Sequence, residues 1–158
     1  MELYFLRHGT ADRRSEWQGD DGLRALTEDG AAGARRVVKV LAAGGLKLDA
    51  IVSSPLVRAR QTADIAAEEL QHAPGVIEDQ RLAKGLDKQR LAGLLNDLGH
   101  PQRVMLVGHE PDFSLTIGQI TGGSVVCKKG GVVRVDVADE KALRGQLVWS
   151  LPPKLVGG

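Results

Sequence analysis

Short, largely apolar runs at residues 2–6, 49–53, 75–79 and 103–107 alternate along this chain with longer stretches of helical periodicity. Runs of that length read as strands buried on both faces, and strands alternating with helices build a mainly parallel sheet with helices on either side. Thr27 offers an N-cap ahead of Glu28 and Asp29, and apolar residues follow through Leu41 to a stop at Gly44-Gly45. Ser54 and Pro55 supply an N-cap and a first-position proline for a second helix to about Leu70. A third helix is expected over 87–98, and Pro111 opens a fourth to about Ile120. Beyond Gly122-Gly123 the rhythm changes to two strands, 132–137 and 146–151, that predict an antiparallel pair, with an irregular tail at 152–158. The expected fold is therefore α/β, a three-layer α/β/α sandwich with a mainly parallel sheet, formed by residues 1–158 as a single domain.

Charge narrows the functions open to such a chain. With 21 basic against 20 acidic residues and a net charge of +1, bulk attraction to nucleic acid or membrane is not expected, so any anion must be held by local clustering of cations. The single cysteine, Cys127, cannot form an internal disulfide and reads as a small buried hydrophobe; no Cys/His cluster has zinc-ligand spacing. The segment Glu2-Leu3-Tyr4-Phe5-Leu6 lacks the basic flank and long apolar stretch of a secretion signal, and no run reaches transmembrane length, so a cytoplasmic setting is expected. His72 and His100 lie in polar helix-end contexts and are read as solvent-facing caps.

The local clustering is found at the strand ends. In an open α/β sheet, ligands gather outside the carboxyl ends of the strands. Arg7-His8 follows the first strand, Arg58 lies near the start of the helix after the second, and His109 follows the fourth. Two guanidinium groups and two imidazoles in one crevice call for an anion, and the planar fork of arginine favours phosphate. Beside arginines an imidazole is discouraged from taking a proton, which leaves His8 neutral and nucleophilic near neutral pH. A hydrogen bond from its Nδ1–H to a backbone carbonyl would aim Nε2 at phosphorus, and Gly9 permits the close backbone approach this needs. Each segment also has a plainer reading: a structural histidine, a strand-to-helix turn at Gly108-His109-Glu110-Pro111, or a surface ion pair for Arg58.

Arg7-His8-Gly9, then Ser53-Ser54-Pro55 with Arg58-Ala59-Arg60-Gln61-Thr62, then Gly108-His109, resemble the histidine phosphatase superfamily, the phosphoglycerate mutase-like fold, over residues 3 to about 151. The segment Arg24-Ala25-Leu26-Thr27 resembles the SixA-type phosphohistidine phosphatases, with Ala25 where proline is common. The resemblance implies His8 as nucleophile and Arg7, Arg58 and His109 as the phosphate pocket, with Arg24 as a further member. It implies a phosphoenzyme mechanism that requires no metal and no cofactor. Lys128-Lys129-Gly130-Gly131 also resembles this branch but carries no evident chemistry.

Many relatives in this superfamily hold an acidic proton donor in the loop after the third strand. Here that stretch reads Gln80-Arg81-Leu82-Ala83-Lys84-Gly85, with Asp79, Asp87 and Glu110 as carboxylates within reach of substitution for it. An alcohol leaving group needs such a donor, whereas imidazole departs from phosphohistidine with a proton at low cost. The expected substrate is therefore a phosphorylated protein side chain, most simply phosphohistidine on a phosphotransfer protein, entering a shallow site. A broad phosphomonoesterase of small phosphorylated substrates and a non-catalytic phosphate-binding module remain as alternatives. The loop from Asp12 to Arg24 reads as a solvated rim that could touch a partner.

Overall fold

A computed structural model describes residues 1–157. Its single six-stranded sheet has the strands β1 (Glu2–Arg7), β2 (Ala50–Ser53), β3 (Val76–Glu78), β4 (Arg103–Gly108), β5 (Val132–Asp139) and β6 (Arg144–Leu151). They lie in the order β3-β2-β4-β1-β5-β6. The first four run parallel, and β5 and β6 add an antiparallel hairpin beside β1. Helices α1 (Glu28–Ala43), α2 (Val57–Glu69), α3 (Lys88–Asp97) and α4 (Asp112–Thr121) complete the α/β fold.

The period-two alternation of the strands assigns each helix to a face. Leu3 and Phe5 of β1, Val52 of β2 and Leu106 of β4 point into one core with Leu91, Leu94 and Phe113 of α3 and α4. Tyr4 and Leu6, Ile51 and Val107 point the other way, into a core completed by Val37, Leu41 and Ala63 of α1 and α2. Each layer is thus specified by alternate residues of the same strands. Among the described residues, no helix is long and apolar enough to cross a membrane.

The sequence signals at the helix ends act largely as read. The Thr27 side chain accepts from Gly30 N–H, and Gly44-Gly45 stops α1, with Gly45 at a φ of 81°. Asp87, expected as the first residue of the third helix, is instead its N-cap and accepts from Arg90 N–H. The start of α2 differs. The helix begins at Val57, because the Ser54 hydroxyl accepts from Leu56 N–H only two residues on, closing a turn in place of a helix cap. This delay leaves Ser54 at the mouth of β2, where it is used differently.

The topology places a crevice at the carboxyl ends of β1 and β4. These neighbours are in register from Glu2↔Arg103 to Arg7↔Gly108, and the connection from β1 leads towards β2 while that from β4 leads the opposite way, to β5. Such a switch point opens a cleft because the two departing chains separate over opposite faces of the sheet.

Candidate active site

Arg7, His8, Arg24, Arg58 and His109 all line this cleft, which has a volume of about 1620 Å³. The mouth is broad, but the floor is closed: His8 is 7% exposed, His109 8% and Arg58 5%. The rings of His8 and His109 stand 5.1 Å apart between centroids, tilted by 56°.

His8 is held from several directions. Its backbone N–H donates to Gly108 O at 3.0 Å, and Gly130 N–H is shared between the carbonyls of Arg7 and His8, each at 3.1 Å. Gly131 O in turn accepts from Arg7 N–H. The Lys128–Gly131 turn therefore clamps the backbone on either side of His8; its contribution is made by main chain and by Gly130 at a φ of 73°, which side-chain chemistry could not reveal. Nδ1 of His8 lies 2.7 Å from Gly9 O and donates to it, which leaves Nε2 as the unprotonated nitrogen. Gly9 is required as a glycine, since a Cβ there would meet Gly30 O of α1 at 2.5 Å.

Thr62 and Ser54, both fully buried, tie the motifs together. The Thr62 hydroxyl accepts from Gly9 N–H at 3.1 Å and donates to Arg58 O at 2.8 Å, linking the His8 loop to the helix turn that carries Arg58. Nε2 of His109 is 2.8 Å from the Ser54 hydroxyl. Neither role was assigned from sequence, although both residues lie inside the quoted motifs.

Cations gather around the imidazoles with few acceptors. Arg7 donates from Nη1 to Cys127 O at 2.9 Å; among the described residues its Nε, and that of Arg58, are buried without a hydrogen-bond partner. Burial above all, with His109, Arg58 and Arg7 adding repulsion, pushes His8 from its usual 6.5 down to about 3, against the opposing pull of the Gly9 carbonyl. Burial and the same two arginines lower His109 to about 4. Both rings are neutral near pH 7, as a nucleophile requires.

The carboxylates are placed unevenly. Asp79 is paired with Arg81 through two contacts of 2.8 Å and caps the short turn at 80–82, and Asp87 caps α3. Of the three acids considered from sequence, Glu110 lines the cleft; it accepts from Ser114 N–H at 2.7 Å. Ala83, Lys84 and Gly85 also line it, so the loop after β3 reaches the site without a carboxylate. The loop before α1 supplies Asp12, Asp20 and Asp21 instead. Asp21 turns inward from the largely solvated rim to Arg24 and Arg58, and Arg24 also donates to Asp12 O at 2.8 Å. The Ala11↔Leu26 bridge and the bond from Asp12 N–H to Ala25 O hold this loop where proline would otherwise stiffen it.

Two other expectations, on the remaining histidines and on the cysteine, are resolved. His72 is half-buried rather than solvent-facing, with Nε2 lacking a partner among the described residues, while His100 is exposed. Cys127 is buried in the core, and its thiol is pushed up to about 12 by burial. Among the described residues no three His, Cys, Asp or Glu side chains cluster as a metal site.

Residues 3–84, over half the chain, match the family model of the histidine phosphatase superfamily (branch 1). The chain belongs to this superfamily. Phosphatases are members of this superfamily, and the family match spans the segments that carry His8, after β1, and Arg58, in the first turn of α2. An uncharacterized protein of Picosynechococcus sp. is 41% identical over 141 residues, covering 84% of this chain and 83% of the relative. In fold, the chain is similar to the protein histidine phosphatase SixA complexed with tungstate, with a TM-score of 0.88 at 20% identity over 99% of this chain and 100% of that one. It is also similar to the α-ribazole phosphatase of Shigella flexneri, with a TM-score of 0.75 at 16% identity over 97% of each chain.

Proposed function

We propose that this superfamily member is a phosphohistidine phosphatase that works through a covalent intermediate on His8. The carrying observation is a neutral His8 imidazole, fixed by its Nδ1–H bond to Gly9 O, at the floor of a pocket lined by arginines. Nε2 attacks phosphorus, the P–N bond to the substrate imidazole breaks, and that ring leaves with a proton taken from water. Water then attacks the phosphorus on His8 and loses a proton to solvent, the bond from phosphorus to Nε2 breaks, and inorganic phosphate departs with His8 neutral again. Arg7, Arg24, Arg58 and His109 hold the charge on the equatorial oxygens throughout. A pocket so rich in fixed cations repels a metal ion, which supports a metal-independent course.

The leaving group follows from the carboxylates. The loop after β3 presents Ala83, Lys84 and Gly85 to the cleft, and imidazole is the leaving group that asks least of a protein acid. The broad mouth suits a side chain presented on a protein surface. Glu110, lining the cleft next to His109 in sequence, favours a second reading as a phosphomonoesterase of small substrates, with Glu110 as proton donor.

One experiment separates these readings. The protein is mixed with a phosphohistidine peptide, quenched within milliseconds to seconds and analysed by mass spectrometry, in parallel with a panel of alkyl phosphates. Phosphate on His8 and rapid release from the peptide alone support the proposal. Faster turnover of alkyl phosphates, abolished by Glu110→Gln, supports the second reading, and binding without a phosphoenzyme or release points to a phosphate-binding module.

A further inference from the structure

Asp21 occupies the donors that a phosphoryl group needs. Its main-chain carbonyl accepts from Arg58 Nη1 at 3.0 Å and its Oδ2 lies 3.3 Å from Arg58 Nη2, so both terminal nitrogens of that guanidinium are engaged by one residue. Oδ1 accepts from Arg24 Nε at 3.0 Å and lies 3.5 Å from Arg14 Nε. Three arginines thus converge on one carboxylate at the rim, as they would on a phosphate.

We propose that Asp21 is an internal ligand of the phosphate-binding arginines, exchanged for the phosphoryl group when substrate enters and restored when phosphate leaves. The proposal rests on the reading of this cleft as a phosphate site. Its physical basis is competition for one fork. Arg58 is almost completely covered, so an anion approaching its terminal nitrogens meets Asp21. The Asp21 side chain is 44% exposed and can swing into water at small cost, since half-exposed ion pairs stabilise little; this frees Nη2 of Arg58 and Nε of Arg24, while the main-chain bond to Arg58 Nη1 keeps the guanidinium in place. A phosphoryl group brings more charge and a third oxygen, and therefore wins at modest concentration. On the return, Asp21 opposes tight retention of inorganic phosphate.

The exchange should be visible next door. Trp17 Nε1 donates to Asp20 O at 2.9 Å, and the Asp20 side chain accepts from Gly22 N–H at 3.1 Å. Asp21 follows Asp20 directly, so release of its carboxylate from the arginines changes the field beside the partner of Trp17. The other tryptophan, Trp149, packs against Tyr4 on the sheet.

The test is calorimetric titration of inorganic phosphate into wild type, Asp21→Asn, Asp21→Ser and Arg58→Ala, with Trp17 emission followed in a Trp149→Phe background. Asp21→Asn should bind phosphate about twofold to fivefold more tightly, the size expected for removing a half-exposed charge competitor. Phosphate should shift Trp17 emission, and the ligand-free Asp21→Asn protein should already resemble the phosphate-bound form. Unchanged or weaker binding in both Asp21 variants would overturn the proposal and make Asp21 a scaffold for Arg58. Binding by wild type that is lost in Arg58→Ala preserves the phosphate-site reading whichever way Asp21 falls. Absence of phosphate binding in wild type and Asp21→Asn alike would remove both.

Discussion

The hydroxyl of Thr62 bridges Gly9 N–H and Arg58 O, so the loop bearing the proposed nucleophile and the helix bearing a proposed phosphate ligand share one buried atom. Thr62→Val keeps the volume and deletes both bonds, leaving a buried N–H unsatisfied. A fall in kcat/KM of about tenfold to a hundredfold is expected from misplacement of His8 against phosphorus. Thr62→Ser should recover most of it. If valine lowers stability without changing kcat/KM in the folded fraction, Thr62 is structural alone.

His8→Ala should abolish phosphoenzyme formation and lower kcat by at least about a thousandfold, as removal of a nucleophile does. Phosphate affinity should be largely retained, because Arg7, Arg24 and Arg58 remain. Arg58→Ala should instead weaken phosphate binding and turnover together. Single-turnover kinetics beside phosphate titrations separate the two behaviours, and wild-type rates in His8→Ala would end the covalent mechanism.

The lowered imidazoles make stability depend on pH in a defined direction. With His8 near 3 and His109 near 4 in the fold, against 6.5 for an ordinary histidine, the unfolded chain binds more protons across the interval between. Their neutral burial is thus fully tolerated above about pH 6.5, and stability is lost as pH falls towards the folded values. The urea midpoint should drop between pH 7 and 4.5, and His8→Asn should flatten that dependence. Asp21 and Asp79, which arginine neighbours hold below the usual carboxylate range, lose their contributions at still lower pH. An identical slope in His8→Asn and wild type would contradict the burial of a neutral ring.

The strand and helix pattern was legible because alternate residues of β1, such as Leu3 and Tyr4, face different cores, and because a cap such as Thr27 acts within three residues of its own position. His8, Arg58 and His109 could be brought together because strand ends in a parallel sheet share one edge. What escaped was long-range or main-chain chemistry. Gly130 clamps the carbonyls of Arg7 and His8 through an N–H that every residue but proline possesses, and Ser54 reaches His109 only because α2 starts late. Asp21 read as solvated because a carboxylate in a polar loop has no local signal for turning towards Arg58.

Lys84 lines the cleft on the loop that follows β3, a cation where many relatives in the superfamily carry a carboxyl group. Lys84→Glu would place a carboxyl group there, and proximity to the anionic substrate would raise its proton affinity and favour the acid form. Protonation of a departing alkoxide typically contributes about a hundredfold or more, and partial alignment should deliver a fraction of that. The variant should therefore raise kcat on alkyl phosphates by about tenfold, while turnover of phosphohistidine peptide, whose imidazole leaves without such help, stays flat or falls through added repulsion. A gain confined to alkyl phosphates, with a new descending limb in the pH profile of kcat, would tie the P–N preference to the chemistry of this loop. Equal effects on both substrates would place the preference elsewhere, in how the mouth of the cleft meets the protein that carries the phosphate.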